Sequence, residues 1–168
     1  MKNSIAIGLI LGFGLSVAQA QQDSTEVTTK DDFKTSLFKK APDSSKLKPI
    51  PFQVTFFTPL GTNGWDYEQF ETNLSVNIIA GHNGAVNGLE FGGFWNSDRH
   101  YMHGLQLAGF GNSVFGDVNG IQGAGFINVD MKSFHGVQGA GFLNHVHKNF
   151  HGIQLAGFSN SVLGTGLI

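Results

Sequence analysis

GIQGAGFINVDMKSFH (120–135) is followed directly by GVQGAGFLNHVHKNFH (136–151), and the two stretches repeat one sixteen-residue unit. Three further copies begin at Gly88, Gly104 and Gly152. Every copy has glycine at places one and six, phenylalanine at place seven and asparagine at place nine. A fixed period without insertion or deletion is typical of stacked repeat architectures. The sequence therefore predicts an array of five β-repeats.

Three kinds of side chain recur at fixed places and are candidates for ladders along the array. In the copy that begins at Gly120, alternation puts Gln122, Ala124, Phe126 and Asn128 on one face of an extended strand. We expect the phenylalanine to point into the core, and glutamine and asparagine to satisfy one another along the stack. If this face were exposed instead, it would suit a carbohydrate or a peptide. The predicted ladder residues are Phe94, Phe110, Phe126, Phe142, Phe158, Asn96, Asn112, Asn128, Asn144, Asn160, Gln106, Gln122, Gln138 and Gln154.

Two architectures accommodate a strand-and-turn unit of this length. In a β-solenoid each copy is one coil, and identical residues of successive coils lie about 4.8 Å apart. In an up-and-down β-barrel meander successive strands run in opposite directions, and the alternating turns favour a double period of about thirty-two residues. The evident period is sixteen, with no alternation in turn length. We therefore predict an all-β protein with a short β-solenoid, and the barrel meander is the alternative.

The chain begins with the features of a secretory signal. Lys2 precedes an apolar run from Ile5 to Val17, and Ala18-Gln19-Ala20 is a small-residue cleavage site of the A-x-A kind. The run is shorter than the ~20 residues that a membrane-spanning helix needs. We predict a signal peptide that is removed before Gln21.

The composition changes twice between the signal and the repeats. Ser, Thr, Asp and Lys dominate first, which predicts a disordered linker, and two segments of period-two alternation follow, which predict capping strands. The expected organisation is a signal peptide over 1–20, a linker over 21–50, capping strands over 51–87 and five repeats over 88–168.

Composition excludes several classes of protein. The 168 residues include 24 glycines and 16 phenylalanines and carry a formal net charge of −2, which argues against a nucleic-acid partner. The chain has no cysteine. A disulfide framework is therefore excluded, as is a lipid anchor on a cysteine after the signal.

Histidines near the turns raise the question of a metal site. His145, His147 and His151 lie close in sequence, and His135 and His151 occupy the same place in adjacent copies. No carboxylate recurs beside them. We expect solvated turn histidines and no metal site.

The acidic residues are the remaining candidates for chemistry. Those near turns are Asp98, Asp117 and Asp130, and those considered for glycoside cleavage are Glu68, Glu71 and Glu90. We expect the three aspartates to occupy different places of the unit, and the Gly-Gly-x-Gly-x-Asp pattern of calcium-binding β-rolls is missing, so we expect no calcium ladder. We expect the glutamates to be solvated. The sequence predicts no catalytic residue and no cofactor.

The unit G-[LIV]-Q-x-A-G-F-x-N resembles the glycine-leucine-glutamine-rich repeats of a bacterial surface-repeat family, known from spirochaete lipoproteins and exported proteins of Bacteroidetes-type bacteria. The resemblance covers residues 52–168 and implies an exported, surface-associated protein without catalytic residues. This chain departs from the family in lacking the lipoprotein cysteine and in carrying phenylalanine where leucine is often seen.

These observations predict a non-enzymatic repeat protein of the cell envelope or outer-membrane surface, with a structural or interaction role. The alternative function is that of a small integral outer-membrane β-barrel protein. Expected partners are an envelope protein or a glycan, with membrane association as a further expectation. An open C-terminal edge strand predicts pairing with further repeats or with another chain.

Overall fold

The computed structural model describes residues 43–167. The predicted signal peptide and residues 21–42 of the predicted linker lie outside the described residues. Within the described part, a 3-10 turn forms at Ser44–Lys46 and the first strand begins at Lys48. Structure therefore starts inside the last residues of the segment predicted as linker.

Each sixteen-residue copy forms one coil of a β-solenoid with about six turns. A coil contains a longer strand of seven or eight residues and a shorter strand of four, separated by a bend. The long column consists of β1 (Lys48–Phe57), β3 (Phe70–Asn83), β4 (Ala85–Gly92), β6 (Tyr101–Ala108), β8 (Asp117–Ala124), β10 (Phe134–Ala140), β12 (Phe150–Ala156) and β14 (Gly166–Leu167). The short column consists of β5 (Trp95–Asp98), β7 (Gly111–Val114), β9 (Ile127–Asp130), β11 (Leu143–Val146) and β13 (Ser159–Val162).

Strand pairing in the repeats is parallel and in register. Gln122 of β8 is paired with Gln106 on one side and with Gln138 on the other, and Asn128 of β9 lies between Asn112 and Asn144 in the same way. Equivalent places therefore stack directly along the axis. The predicted β-solenoid is confirmed, and the antiparallel meander is not the fold that forms.

The residues before the first repeat form the beginning of the stack. The long strand β3 pairs with β4 through its first part and with β5 through its last part, so it joins the two columns. Strand β1 pairs in parallel with β3, and the two-residue strand β2 (Leu60–Gly61) pairs antiparallel with β1. A 3-10 helix at Gly64–Gln69 connects β2 to β3.

Two conserved places of the unit are glycine because successive backbones come close there. Gly120, at place one, has φ of 142°, and a Cβ added to it would lie 2.0 Å from the carbonyl oxygen of Gly104. At place six, a Cβ on Gly125 would lie 2.0 Å from the carbonyl oxygen of Gly109. A side chain at either place would force the coils apart, and at place one the positive φ is a further reason for glycine.

The apolar core occupies one half of the coil interior. It is built from place fifteen of the long strands and from the valines at place eleven of the short strands, and these side chains are completely buried apart from the partly buried Val162. Its members are Val86, Met102, Val114, Val118, Phe134, Val146, Phe150 and Val162.

No helix within residues 43–167 is long and apolar enough to cross a membrane.

Candidate functional site

The other half of the interior is polar, and its first component is a ladder of asparagines at place nine. The side-chain amide of Asn96 donates to Oδ1 of Asn112 at 3.0 Å, Asn112 donates to Asn128 at 2.9 Å, and the series continues through Asn144 to Asn160 at the same distance. Each amide nitrogen also donates to a backbone carbonyl, as Asn128 does to Gly139 at 2.8 Å. Because every buried amide is paired in two directions, its burial carries little desolvation penalty.

The second component is a ladder of glutamines at place three, which runs in the opposite direction. Nε2 of Gln122 donates to Oε1 of Gln106 at 2.8 Å, and Gln138 donates to Gln122 at 2.7 Å. Gln154 donates to Gln138 at 2.7 Å, and its own Oε1 is buried without a hydrogen-bond donor. In the glutamine ladder the N–H groups point towards the N-terminal coils, whereas in the asparagine ladder they point towards the C-terminal coils.

Two buried aspartates fix the orientation of the glutamine amides. Asp130 accepts from Gln122 at 3.0 Å through Oδ1 and from Gln138 at 2.6 Å through Oδ2. Both oxygens of Asp130 therefore face amide nitrogens, which sets the direction of the two glutamine side chains. Asp98 accepts from Gln106 in the same way at 2.7 Å. One aspartate therefore serves two successive coils, and valine fills place eleven in the coils between.

Glu90 and Asp98 form a buried acidic pair at the N-terminal end of this ladder. Glu90 accepts from Gln106 at 2.6 Å, from Asn77 at 2.8 Å and from Asn83. Burial raises the pKa of both carboxyls, and the neighbouring charge of Glu90 raises that of Asp98 further. The two buried carboxyls therefore hold protons to higher pH than solvated acids do. Burial also raises the pKa of Asp130 to about 7.

The phenylalanines of place seven form a continuous stack, but on the outside of the solenoid. Ring centroids of successive coils are 4.7–5.0 Å apart and the ring planes lie within 17° of parallel. Phe94, Phe126 and Phe142 are 36–41% exposed and Phe158 is 74% exposed. The expectation that phenylalanine points into the core is wrong. The chain bends at the Gly-Phe pair between two strands, so the alternation that places glutamine and asparagine inside is not continuous across place seven.

The outward side of the long column is apolar throughout. Place two supplies one row, Phe52, Leu74, Leu89, Leu105, Ile121, Val137 and Ile153. Place four supplies a second row, Val54, Val76, Phe91, Leu107, Gly123, Gly139 and Leu155. We call these two rows, together with the phenylalanine stack at the corner, the outer apolar face. None of its positions carries a charge.

The borders of the outer apolar face differ in character from its centre. On the side away from the phenylalanines, place sixteen supplies a row of amide and imidazole side chains, Asn87, His103, Asn119, His135 and His151. The arrangement of an apolar centre beside a polar rim is the usual anatomy of a protein interaction surface.

The stacked rings bear on the kind of ligand that the face suits. Sugar rings pack on the faces of aromatic side chains, but here each ring face is covered by the ring of the next coil. Ring edges and aliphatic side chains are what remains at the surface. The geometry therefore favours an apolar partner over a glycan.

The histidines do not converge on one point. The ring centroids of His135 and His151 are stacked 4.8 Å apart, and those of His145 and His147 are 6.4 Å apart with the ring planes tilted by 58°. Within residues 43–167 no group of three or more His, Asp or Glu side chains is arranged to hold a metal ion.

A depression of about 380 Å³ lies beside the turns of the middle coils. Arg99, His100, Tyr101 and Lys132 line it together with Asp117. Tyr101 donates through its hydroxyl to Glu71, and burial with this hydrogen bond raises the pKa of Tyr101 to about 12. These groups show no arrangement of nucleophile, base and acid.

Sequence reasoning missed two features of the site. It treated Glu90 as solvated and saw no alignment between Asp98 and Asp130, although both aspartates occupy place eleven and lie thirty-two residues apart. That double spacing, with valine in the copy between, was the available signal. Glu90 could have been recognised because it stands where the other copies carry glutamine.

Comparison with known proteins does not assign this chain to a family. No protein-family model matches it, and the curated proteins and the solved structures give no significant match.

Proposed function

We propose that this protein is a non-enzymatic component of the bacterial cell envelope, exported by a signal peptide over residues 1–20, whose role is to present the outer apolar face as an interaction surface. The observation that carries the proposal is the inversion of polarity across the long column. Glutamine and carboxyl side chains are completely buried on its inner side, whereas Ile121 and Val137 on its outer side are 51% and 39% exposed.

The extent of the face supports an interaction role. Phe side chains cover ~150–250 Å² each, so the phenylalanines of the face alone leave roughly 500–800 Å² accessible. The largest apolar patch on an ordinary monomer is about 300–600 Å², and larger ones mark interaction sites. Scattered hydrophobic exposure does not explain a surface that continues over seven strands.

The contacts of the buried carboxyls support a structural role for these groups. Its carboxyls are engaged by amide donors of neighbouring coils, as Asp130 is by Gln122 and Gln138, and none of these contacts opens to a cleft. The buried acids thus act as acceptors that complete a structural network. The resemblance of the repeat unit to the bacterial surface-repeat family agrees with a structural role at the envelope.

The test is a fractionation experiment with the full chain produced in an exporting bacterium. We expect a processed product that begins at Gln21 and that is recovered with the envelope. The double variant Ile121→Lys/Val137→Lys places two charges on the outer apolar face and should lower the envelope-bound fraction at least about fivefold. The matched control Ser161→Lys alters an outward position of the short column and should leave that fraction unchanged.

Two results would count against the proposal. An unprocessed chain in the cytoplasm would contradict export, and equal envelope fractions for the wild type and the double variant would contradict a role for the face. Far-UV circular dichroism of both variants checks that the β-structure is retained.

A further inference from the structure

The second row of the outer apolar face contains a dent that contacts within the chain do not explain. Large side chains occupy place four in the neighbouring coils, with Leu107 on one side and Leu155 on the other, whereas Gly123 and Gly139 lie between them. A Cβ added to Gly139 would meet no atom within 4 Å, and its φ is not positive. Within residues 43–167, neither backbone conformation nor packing requires glycine at this position.

The dent is centred on Gly139. A Cβ on Gly123 would meet only Cδ2 of Leu107, at 2.7 Å, which is the flexible end of a side chain that leans over it. The two glycines of places one and six in the same copies differ from this, because their Cβ atoms would meet backbone carbonyls. Glycine at place four is therefore best explained by something that packs against the face from outside.

The size and flatness of the face fit one kind of occupant. Seven strands spaced ~4.8 Å apart give a face about 29 Å long, and a second sheet can pack on such a surface at ~10 Å. A standard protein interface covers about 800 Å² on each partner. The accessible apolar area of this face has that magnitude.

The rim argues against a lipid surface as the occupant. Binding to anionic membranes relies on Lys and Arg beside the apolar surface. The row at place sixteen that borders the face consists of Asn and His side chains, Glu71 is bonded to Asn87 beside it, and the chain carries a net charge of −2. A hydrocarbon layer, moreover, is fluid and needs no dent of fixed shape.

We propose that the outer apolar face binds the same face of a second copy of this chain, which forms a face-to-face homodimer. This inference rests on the interaction role proposed above and names the partner of that surface. A neutral face is self-complementary in charge, and two copies related by a two-fold axis bury the same residues. In this dimer one copy is shifted by one row of side chains relative to the other. The β-branched Ile121 and Val137 of each copy then fill the dent at Gly139 of its partner.

The experiment is sedimentation equilibrium of the purified full chain, compared with two variants. Gly139→Leu fills the dent and should raise the dimer dissociation constant at least about tenfold, because the partner is held away. Ser161→Leu adds the same side chain at an outward position of the short column and should leave the constant unchanged. Since Gly139 has open space around its Cβ, circular dichroism and the urea midpoint of the monomer should not fall.

A monomeric wild type at about 50 µM would overturn the inference, as would a dimer whose dissociation constant is the same in Gly139→Leu. A wild type that is monomeric but sediments with phosphatidylcholine vesicles would also overturn it, in favour of a lipid partner for the face. Failure of the inference and failure of the proposed function are distinguishable. A monomer whose envelope association still depends on Ile121 and Val137 removes only the dimer, whereas a face-dependent dimer that is neither exported nor envelope-bound removes only the envelope role.

Discussion

The inner and outer sides of the long column reverse the usual distribution of polarity. Inside, Gln122 and Gln138 are buried, and outside, Ile121 and Val137 are open to solvent. The inner side tolerates polar groups because each amide meets an identical amide one strand spacing away, so that donors and acceptors match by repetition. In the part of the chain that the structure describes, the outer side has no such partner. The comparison teaches that parallel stacking satisfies polar side chains inside the coils, whereas the apolar side chains on the outer side stay open to solvent.

The largest expected effect concerns glycine on the two sides of the sheet. Gly120→Ala should destabilise the protein by about 4 kcal/mol or more, because the new Cβ meets the Gly104 carbonyl oxygen and the residue keeps φ of 142°. Gly139→Ala is the matched control and should be neutral or stabilising by about 0.4–1 kcal/mol, since it only restricts the unfolded chain. Urea unfolding followed by circular dichroism measures both. Equal losses would show that the coils are not as close as described.

A second prediction tests the buried acid that links two coils. The pKa of Asp130 in the folded protein is about 7, above the ordinary aspartate value of 3.8, so between these pH values the folded state keeps a proton that the unfolded state releases. The contribution of Asp130 to the free energy of unfolding is therefore fully present below pH 4 and is lost as the pH rises to 7. The Asp130→Asn variant does not titrate here, so its stability relative to wild type should improve by about 3–4 kcal/mol between pH 4 and pH 7.

The quantity to measure in this pH experiment is the difference in the free energy of unfolding between wild type and Asp130→Asn. Burial lowers the pKa of His82 to about 4, and that group stabilises the fold with rising pH over part of the same window. Its contribution cancels in the comparison of wild type with Asp130→Asn. A difference that stays constant from pH 4 to pH 7 would mean that Asp130 is ionised in the folded protein.

The smallest effect comes from the middle and the end of the asparagine ladder. Asn128→Ala removes the acceptor for Asn112 and the donors for Asn144 and Gly139, so we expect a loss of about 2–3 kcal/mol. Asn160→Ala at the exposed end removes the acceptor for Asn144 and one bond to a backbone carbonyl, and should cost less than about 1 kcal/mol. Thermal unfolding of the two variants compares them, and similar losses would contradict cooperative stacking of the amides.

Much of the fold could be predicted because the period is visible in the letters themselves. Glycine at places one and six, and glutamine and asparagine at places three and nine, indicate parallel coils with identical neighbours. The direction of the phenylalanine side chain could not be predicted from alternation, since the bend at Gly125 and Phe126 interrupts the strand. Glu90 could be placed in the glutamine row from the sequence, but its burial could not be predicted, because membership of a row does not show which side of the sheet is inside.

The sequence by itself determined the repeat and favoured an all-β solenoid over an antiparallel meander, because a single sixteen-residue period without insertions suits coils in which each place faces its own copy; the strand pairing decided between the two. Only the tertiary structure decided which places are inside. The bend between the two strands of a coil turns Phe126 outward while Gln122 and Asn128 turn inward, and two columns of strands must enclose a common interior before that difference exists. The outer apolar face and its dent at Gly139 follow from that three-dimensional arrangement.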